Sequence, residues 1–280
     1  MILIYKMNNI NNIDNIIKQD SAYFLSHNGL GDNITCIGAI KFLLKYYNII
    51  YFLCKDIYNE NIKLLFENEI INKNIITVPF NSNNEFSDCR TIITKAVTNT
   101  NTDIFISGFV HKLYLKHLNS RITHPDLLNY KQNDNGYSIE WSHIKNFYYD
   151  IGLDLSIYYN YFHINSSNLS KEYFENIKQY NIIFLHTKSS NREINLNNIT
   201  EKYINDEDKI IICANKNVYT INNYKYDIAN KYINIYIAYY IDIILNSTEI
   251  HVIDSCFSCI IHPLNITNKL KAQSINIYNR

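Results

Sequence analysis

Three short segments of this chain hold the residues whose types and spacing suit chemistry. The first is His27-Asn-Gly-Leu-Gly-Asp32. Gly29 and Gly31 let a backbone turn sharply and let a ligand come close to it, and a helix starting there offers N–H groups to an anion. Asp32 has two readings: a base that takes a proton from a hydroxyl, or a cap on the helix that follows. His27 and Asn28 share the turn, and His27 and His111 are the next candidates for a base. A dinucleotide fingerprint needs a third glycine where Ile34 stands, and a P-loop needs Gly-Lys-Ser/Thr, so neither describes this turn.

The second segment, residues 182–192, leaves an apolar run through His186 and enters a loop of Lys188, Ser189, Ser190 and Arg192. Two cations among hydroxyls suit a diphosphate; the plain alternative is a solvated loop. The third follows the apolar run 249–253 with Asp254 and Ser255, which either start the next helix or hold the hydroxyls of a ribose or sugar. His262, before Pro263, reads as structural.

Metal chemistry finds little support. Cys256 and Cys259 form a lone CxxC with no second Cys or His pair at ligand spacing, which makes zinc or redox chemistry the minority reading. Asp206-Glu-Asp208 has the letters of a metal-diphosphate motif, but it precedes an apolar run rather than following one, so it reads as a turn. The nine histidines show no zinc spacing, and neither metal nor cofactor is expected.

The elements that must position these segments alternate in the rhythm of βαβ units around parallel sheets. Strands are expected at residues 22–26, 49–54, 75–78 and 103–107, then at 181–186, 209–213 and 249–253. A helix is expected over 33–47, where Ile34, Ile37, Ile40, Leu43, Leu44 and Tyr47 share a face. Others are expected at 171–179 and 232–245. Between the two sets lies an aromatic helix from residue 138, with Trp141, Phe147, Tyr148 and Tyr149, ending at Gly152 and followed by a strand up to 161. Polar residues 165–168 place a boundary there. The division is therefore 1–164 and 165–280, with the last helix or tail placed to pack back on the first half.

The bulk numbers agree with a globular enzyme. Across 280 residues, Lys+Arg 26 balances Asp+Glu 26, which disfavours a nucleic-acid partner. The abundance of Asn, Ile and Tyr reads as a codon effect. No apolar run reaches the ~18 residues of a membrane span, no signal peptide is evident, and the six cysteines sit mostly in apolar stretches, so the cytoplasm is the expected location.

Taken in order, the Gly29-Leu-Gly-Asp32 turn, the Lys188 to Arg192 loop and Asp254-Ser255 resemble the ADP-heptose:lipopolysaccharide heptosyltransferase group (GT9-like) of GT-B glycosyltransferases. The stretch 141–162 is similar to the interdomain segment of bacterial and viral homologues. The resemblance implies two Rossmann-like domains with parallel sheets facing a central cleft. It further implies an acceptor-side first half with Asp32 as base, and a second half that binds a nucleotide-sugar donor. Two departures stand out: Cys256 and Cys259 replace the family's Gly and His after the Asp-Ser turn, and a Lys-x-Trp-Pro run is missing. The expected function is inverting, metal-independent transfer of a sugar to a glycan, lipid-linked or protein hydroxyl. The alternatives are an inactive nucleotide- or sugar-binding protein and a nucleotide-sugar epimerase.

Overall fold

Runs rich in Ile, Phe and Tyr make strands here because parallel sheets bury both faces and favour continuous apolar segments. The computed structural model describes residues 18–26, 29–97, 102–108 and 142–279. The chain divides into two compact units, Met1–His163 and Ile164–Arg280.

The first unit runs β1 (Gln19–Leu25), α1 (Leu30–Thr35), α2 (Ile37–Leu43), β2 (Tyr47–Lys55), α3 (Asn59–Leu65), α4 (Glu67–Ile71), β3 (Ile75–Phe80), α5 (Glu85–Val97), β4 (Thr102–Ile106), α6 (Ser142–Tyr149) and α7 (Ser156–Tyr161). Its strands are parallel in the order β3-β2-β1-β4. On one face Phe24 pairs with Phe52, both fully buried, and each contributes about 1.5–3 kcal/mol by leaving water. On the other, Leu25, Leu53 and Ile106 pack with Cys89 and Ile93 of α5.

The second unit runs α8 (Asn168–Glu175), β5 (Asn181–His186), α9 (Asn197–Tyr203), β6 (Lys209–Cys213), α10 (Tyr226–Asn230), α11 (Ile241–Asn246), β7 (Glu249–Ile253), α12 (Cys256–Ile266) and β8 (Ser274–Tyr278). Its parallel order is β6-β5-β7-β8. Residues 182–186, 210–213 and 250–253 are buried throughout, whereas β8, at the edge, is half-exposed. Among the described residues, no helix is long and apolar enough to cross a membrane.

The aromatic segment ties the first unit together. Tyr148, fully buried, donates its hydroxyl to the Thr35 carbonyl at 2.9 Å. Burial drives that phenol well above its ordinary pKa, so it stays a neutral donor. The Ser107 hydroxyl donates to the Phe147 carbonyl at 2.7 Å, and the Gly108 N–H to the Asp150 carboxylate at 2.8 Å. Gly108 has φ +81, and a Cβ there would lie 2.6 Å from the Phe147 ring, so both conformation and space call for glycine.

Several elements differ from the sequence expectations. The helix expected over 33–47 begins at Leu30, breaks at Cys36 and stops at Leu43; its apolar period runs on because Tyr47 is itself buried, as the first residue of β2. The strand expected after Gly152 is α7. Asp154 accepts the Ser156 N–H at 2.8 Å at the start of α7, and Tyr158 buries against Tyr148 and Phe162, overriding the β preference of a Tyr-rich run. The helix expected over 232–245 shortens to a 3₁₀ turn at Ile237–Tyr240 and α11, because Asn234 adopts φ 54 and donates its N–H to the Ala214 carbonyl at 2.8 Å. The helix expected at 171–179 is α8, which starts earlier because Ser167 caps it. Helices α3, α4, α5, α9 and α10 and strand β8 lie outside the sequence expectations. Residues 138–141, including Trp141, lie outside the described residues.

Gly38 allows α2 to reach the aromatic segment: a Cβ there would lie 2.9 Å from the Tyr148 hydroxyl and 3.0 and 3.1 Å from the carbonyls of Ile157 and Tyr158. Gly→Ala in an exposed helix stabilises by about 1 kcal/mol. Gly38→Ala is expected to do the opposite, destabilising the chain by about 1–3 kcal/mol through overpacking. Urea unfolding measures this, and an unchanged or higher midpoint would remove the close approach.

Candidate functional site

Ligands of open parallel sheets bind outside the carboxyl ends of the strands, where the strand order reverses. In the first sheet that point lies between β1 and β4, and in the second between β5 and β7.

The first-unit turn is held from inside. Asn33, 2% exposed, accepts the Ser26 hydroxyl on Oδ1 at 2.6 Å and donates from Nδ2 to the Gly29 carbonyl at 3.0 Å. Beside it the Ser107 N–H donates to the Leu25 carbonyl at 2.9 Å, which holds the chain leaving β4 next to the end of β1. Half-buried Asp32 accepts the Gly29 N–H on Oδ2 at 3.1 Å. Gly29 has an ordinary extended backbone, φ −83 and ψ 153. What it supplies is space, since a Cβ would stand 2.6 Å from Asp32 Oδ2. Gly31, in the first turn of α1, accepts the Thr35 hydroxyl on its carbonyl at 3.0 Å.

Asp32 is therefore a cap in its geometry. A carboxylate has about four lone-pair sites, so one backbone bond orients it without exhausting its capacity to accept. His27, Asn28 and His111 lie outside the described residues.

In the second unit, the His186 Nδ1 lies 3.1 Å from the Ser255 hydroxyl, joining the ends of β5 and β7. The imidazole rests on Phe257, with ring centroids 4.6 Å apart. Burial lowers its pKa to about 4, so it is neutral at neutral pH. Ser255 is also the N-cap of α12: its Oγ accepts the Phe257 N–H at 3.4 Å, and its own N–H donates to the Ser258 hydroxyl at 3.0 Å. The Asp254 carboxylate accepts the Ser258 hydroxyl at 2.8 Å, and its N–H donates to the Tyr278 carbonyl at 2.8 Å.

The loop after β5 is a small hairpin. Lys188 bridges Glu193 antiparallel, and both the N–H and the hydroxyl of Ser189 donate to the Arg192 carbonyl, at 2.8 and 3.2 Å. Lys188, Ser190 and Arg192 are exposed on it. The contact between β5 and β7 is made by His186 and Ser255, not by the cations.

Sequence reasoning missed a second set of residues at this edge. The Thr187 N–H donates to Asn215 Oδ1 at 2.9 Å, and Lys216 pairs with Glu193 at 2.8 Å. The hydrogen bond and charge of Lys216 hold the Glu193 carboxyl below its usual range. The hairpin and the β6 loop thus set Lys188 and Lys216 around one carboxylate, with Arg192 exposed on the same hairpin. Asn215 and Lys216 follow β6 directly, so the carboxyl-edge rule applied to that strand would have found them.

Asp206-Glu-Asp208 is a turn entering β6: the Asp208 N–H donates to Asp206 Oδ1 at 3.1 Å, and Lys209 pairs with Asp206 at 3.3 Å. Buried Lys225 donates to the carbonyls of Asp206 and Lys209. Among the described residues, no group of three or more His, Cys, Asp or Glu is placed to hold a metal ion.

No protein-family model and no curated protein sequence matches the chain. Solved structures do. A glycosyl transferase of family 9 from Veillonella parvula is similar over 96% of this chain and 88% of its own, with a TM-score of 0.57 and 10% identity. The E. coli ADP-heptose LPS heptosyltransferase II is similar over 92% of both chains, with a TM-score of 0.54 and 11% identity. The chain therefore has the α/β fold with parallel sheets seen in GT-B glycosyltransferases.

His186 makes stability depend on pH. The unfolded imidazole takes a proton near its ordinary value of 6.5, but the buried one does so only near 4. Between those values the unfolded chain binds more protons, so stability is full above about 6.5 and falls as pH drops toward 4, by at most about 3 kcal/mol from this group. Chemical denaturation of the parent and His186→Gln across this range is expected to show a smaller acid loss in the variant. Parallel curves would place the ring in contact with water.

Proposed function

We propose that the chain is a glycosyltransferase that moves a sugar from a nucleotide-sugar donor to an acceptor hydroxyl, in one inverting displacement and without a metal ion. The observation that carries this reading is the Asp32 carboxylate, oriented by the Gly29 N–H at the carboxyl end of β1 beside the reversal of the sheet. The GT-B likeness over most of the chain supports it.

In this mechanism Asp32 accepts the acceptor's proton as the hydroxyl oxygen attacks the anomeric carbon. The bond to the donor's diphosphate breaks on the opposite face, which inverts the centre. Residues 165–280 hold the donor. Lys188, Arg192 and Lys216 offer positive charge without a burial penalty, because they stand in water until phosphate arrives. Neutral His186 with Ser255, next to Asp254, offers hydrogen bonds to nucleotide or sugar hydroxyls without adding charge. Carboxylates such as Glu193 keep the edge from becoming uniformly positive, a condition that favours a defined diphosphate over any polyanion.

The same Asp32–Gly29 bond favours a second reading, a nucleotide- or sugar-binding protein in which Asp32 only caps α1. Ligand binding and turnover separate the two. A panel of nucleoside diphosphates and nucleotide sugars is expected to raise the melting temperature for one base above the others. Arg192→Ala is expected to weaken that binding by about 1.5–3 kcal/mol, the range for a hydrogen bond to a charged group; equal affinity by calorimetry would remove Arg192 from the donor site.

Asp32→Asn tests the base. Asn keeps an oxygen for the Gly29 N–H but takes no proton, so the variant is expected to fold and bind donor as the parent does. Its turnover, measured in EDTA with a matched acceptor, is expected to fall roughly 10²- to 10⁴-fold. Parental turnover would leave Asp32 as a cap, and binding without turnover in the parent would establish the second reading.

A further inference from the structure

The six cysteines are of two kinds. Cys36, Cys54, Cys89 and Cys213 are buried, while Cys256 and Cys259 are partly exposed. Burial pushes the Cys54 thiol up to about 12 and raises that of Cys213, which makes both poor nucleophiles. Along α12 the contrast is sharp: from 256 to 264 only the two cysteines are partly exposed, and every other residue is buried. Before its exposed last two residues, the helix opens to solvent only at these two thiols.

Their geometry suits each other. Residues three apart in an α-helix share a face, with Cα atoms about 5 Å apart from the rise and radius of the helix. A disulfide spans roughly 4.4–6.8 Å between Cα atoms. Cys256 is the first residue of an 11-residue helix, where partial positive charge favours the anion that attacks a disulfide.

We propose that Cys256 and Cys259 are a reversible redox site, closing to a disulfide by exchange with a small-molecule disulfide. One cysteine thiolate attacks that disulfide, forming a mixed disulfide and expelling one small thiolate. The second cysteine, losing its proton, attacks the protein sulfur of the mixed disulfide and expels the other. Two protein thiols are thereby oxidised by two electrons, and one small disulfide is reduced to two thiols. An excess of dithiol runs the exchange backwards.

The ring formed would enclose Phe257 and Ser258. Phe257 supports the His186 imidazole, and Ser258 bonds to Asp254 and to the Ser255 backbone, so the redox state acts on the turn after β7, whose Ser255 meets His186 at the end of β5. The proposal stands on the placement of the thiols and does not depend on the sugar-transfer reading.

Incubating the reduced full-length chain with oxidised glutathione under native conditions, then alkylating and mapping peptides by mass spectrometry, tests it. The expected product is a single 256–259 disulfide that dithiothreitol reverses, with the other four cysteines alkylated only after unfolding. Cys256→Ser and Cys259→Ser are each expected to trap a mixed disulfide with glutathione on the remaining cysteine. Unreacted thiols at 256 and 259 in the native parent, or a disulfide that includes any of the four buried cysteines, would overturn the proposal.

Discussion

Parallel pairing is the constraint on which the rest of this structure depends. When every strand of a sheet runs the same way, every chain exit lies on the same edge, and the exits that flank a reversal of strand order are not bridged by a connection. In the first sheet those exits are Ser26 and Ser107, and in the second His186 and Asp254. The residues with the most chemical capacity collect there because the topology allows little else. Apolar runs such as 182–186 and 250–253 are consumed by burial, so polar side chains concentrate where the strands end.

Each exit turn also has to start a helix, and the same atoms serve both ends. Asp32 holds the Gly29 N–H, Ser255 caps α12, and Asn33 clamps the turn between Ser26 and Gly29. A cap and a ligand-binding group have the same requirement, a side chain oriented at the mouth of a helix. Capping therefore prepares a group for chemistry without demonstrating any. Space decides how close the group can come, and Gly29 shows it: its backbone suits any residue, but the Asp32 carboxylate occupies the volume of a side chain.

Burial neutralises the polar groups that hold these exits together. Tyr148 and His186 are enclosed, and in both the charged form is disfavoured by loss of water, upward for the phenol and downward for the imidazole. Each then acts as a neutral hydrogen-bonding partner, Tyr148 to the end of α1 and His186 to Ser255. Formal charge stays outside on the hairpin and the β6 loop, where Lys188, Arg192, Lys216 and Glu193 remain in water.

The amino-acid sequence by itself determined the βαβ rhythm, the positions of β1 to β7, and the exit turns with their Gly, Asp and Ser residues, because burial on both faces demands apolar runs and turns demand small or capping residues. It misplaced what depends on neighbours. Residues 156–161 read as strand from their tyrosines but form a helix, because Tyr158 packs against Tyr148 on the preceding helix. Tyr47 continued a helical period and yet begins a strand, since a buried position looks the same in either element. Only the tertiary structure decided that His186 meets Ser255, that Asn215 and Lys216 join the hairpin edge, and that between 256 and 264 Cys256 and Cys259 alone are partly exposed. The physical reason is that burial and hydrogen-bond partnership are properties of pairs brought together by sheet pairing across dozens of residues, whereas sequence periodicity reports only on neighbours within a few turns.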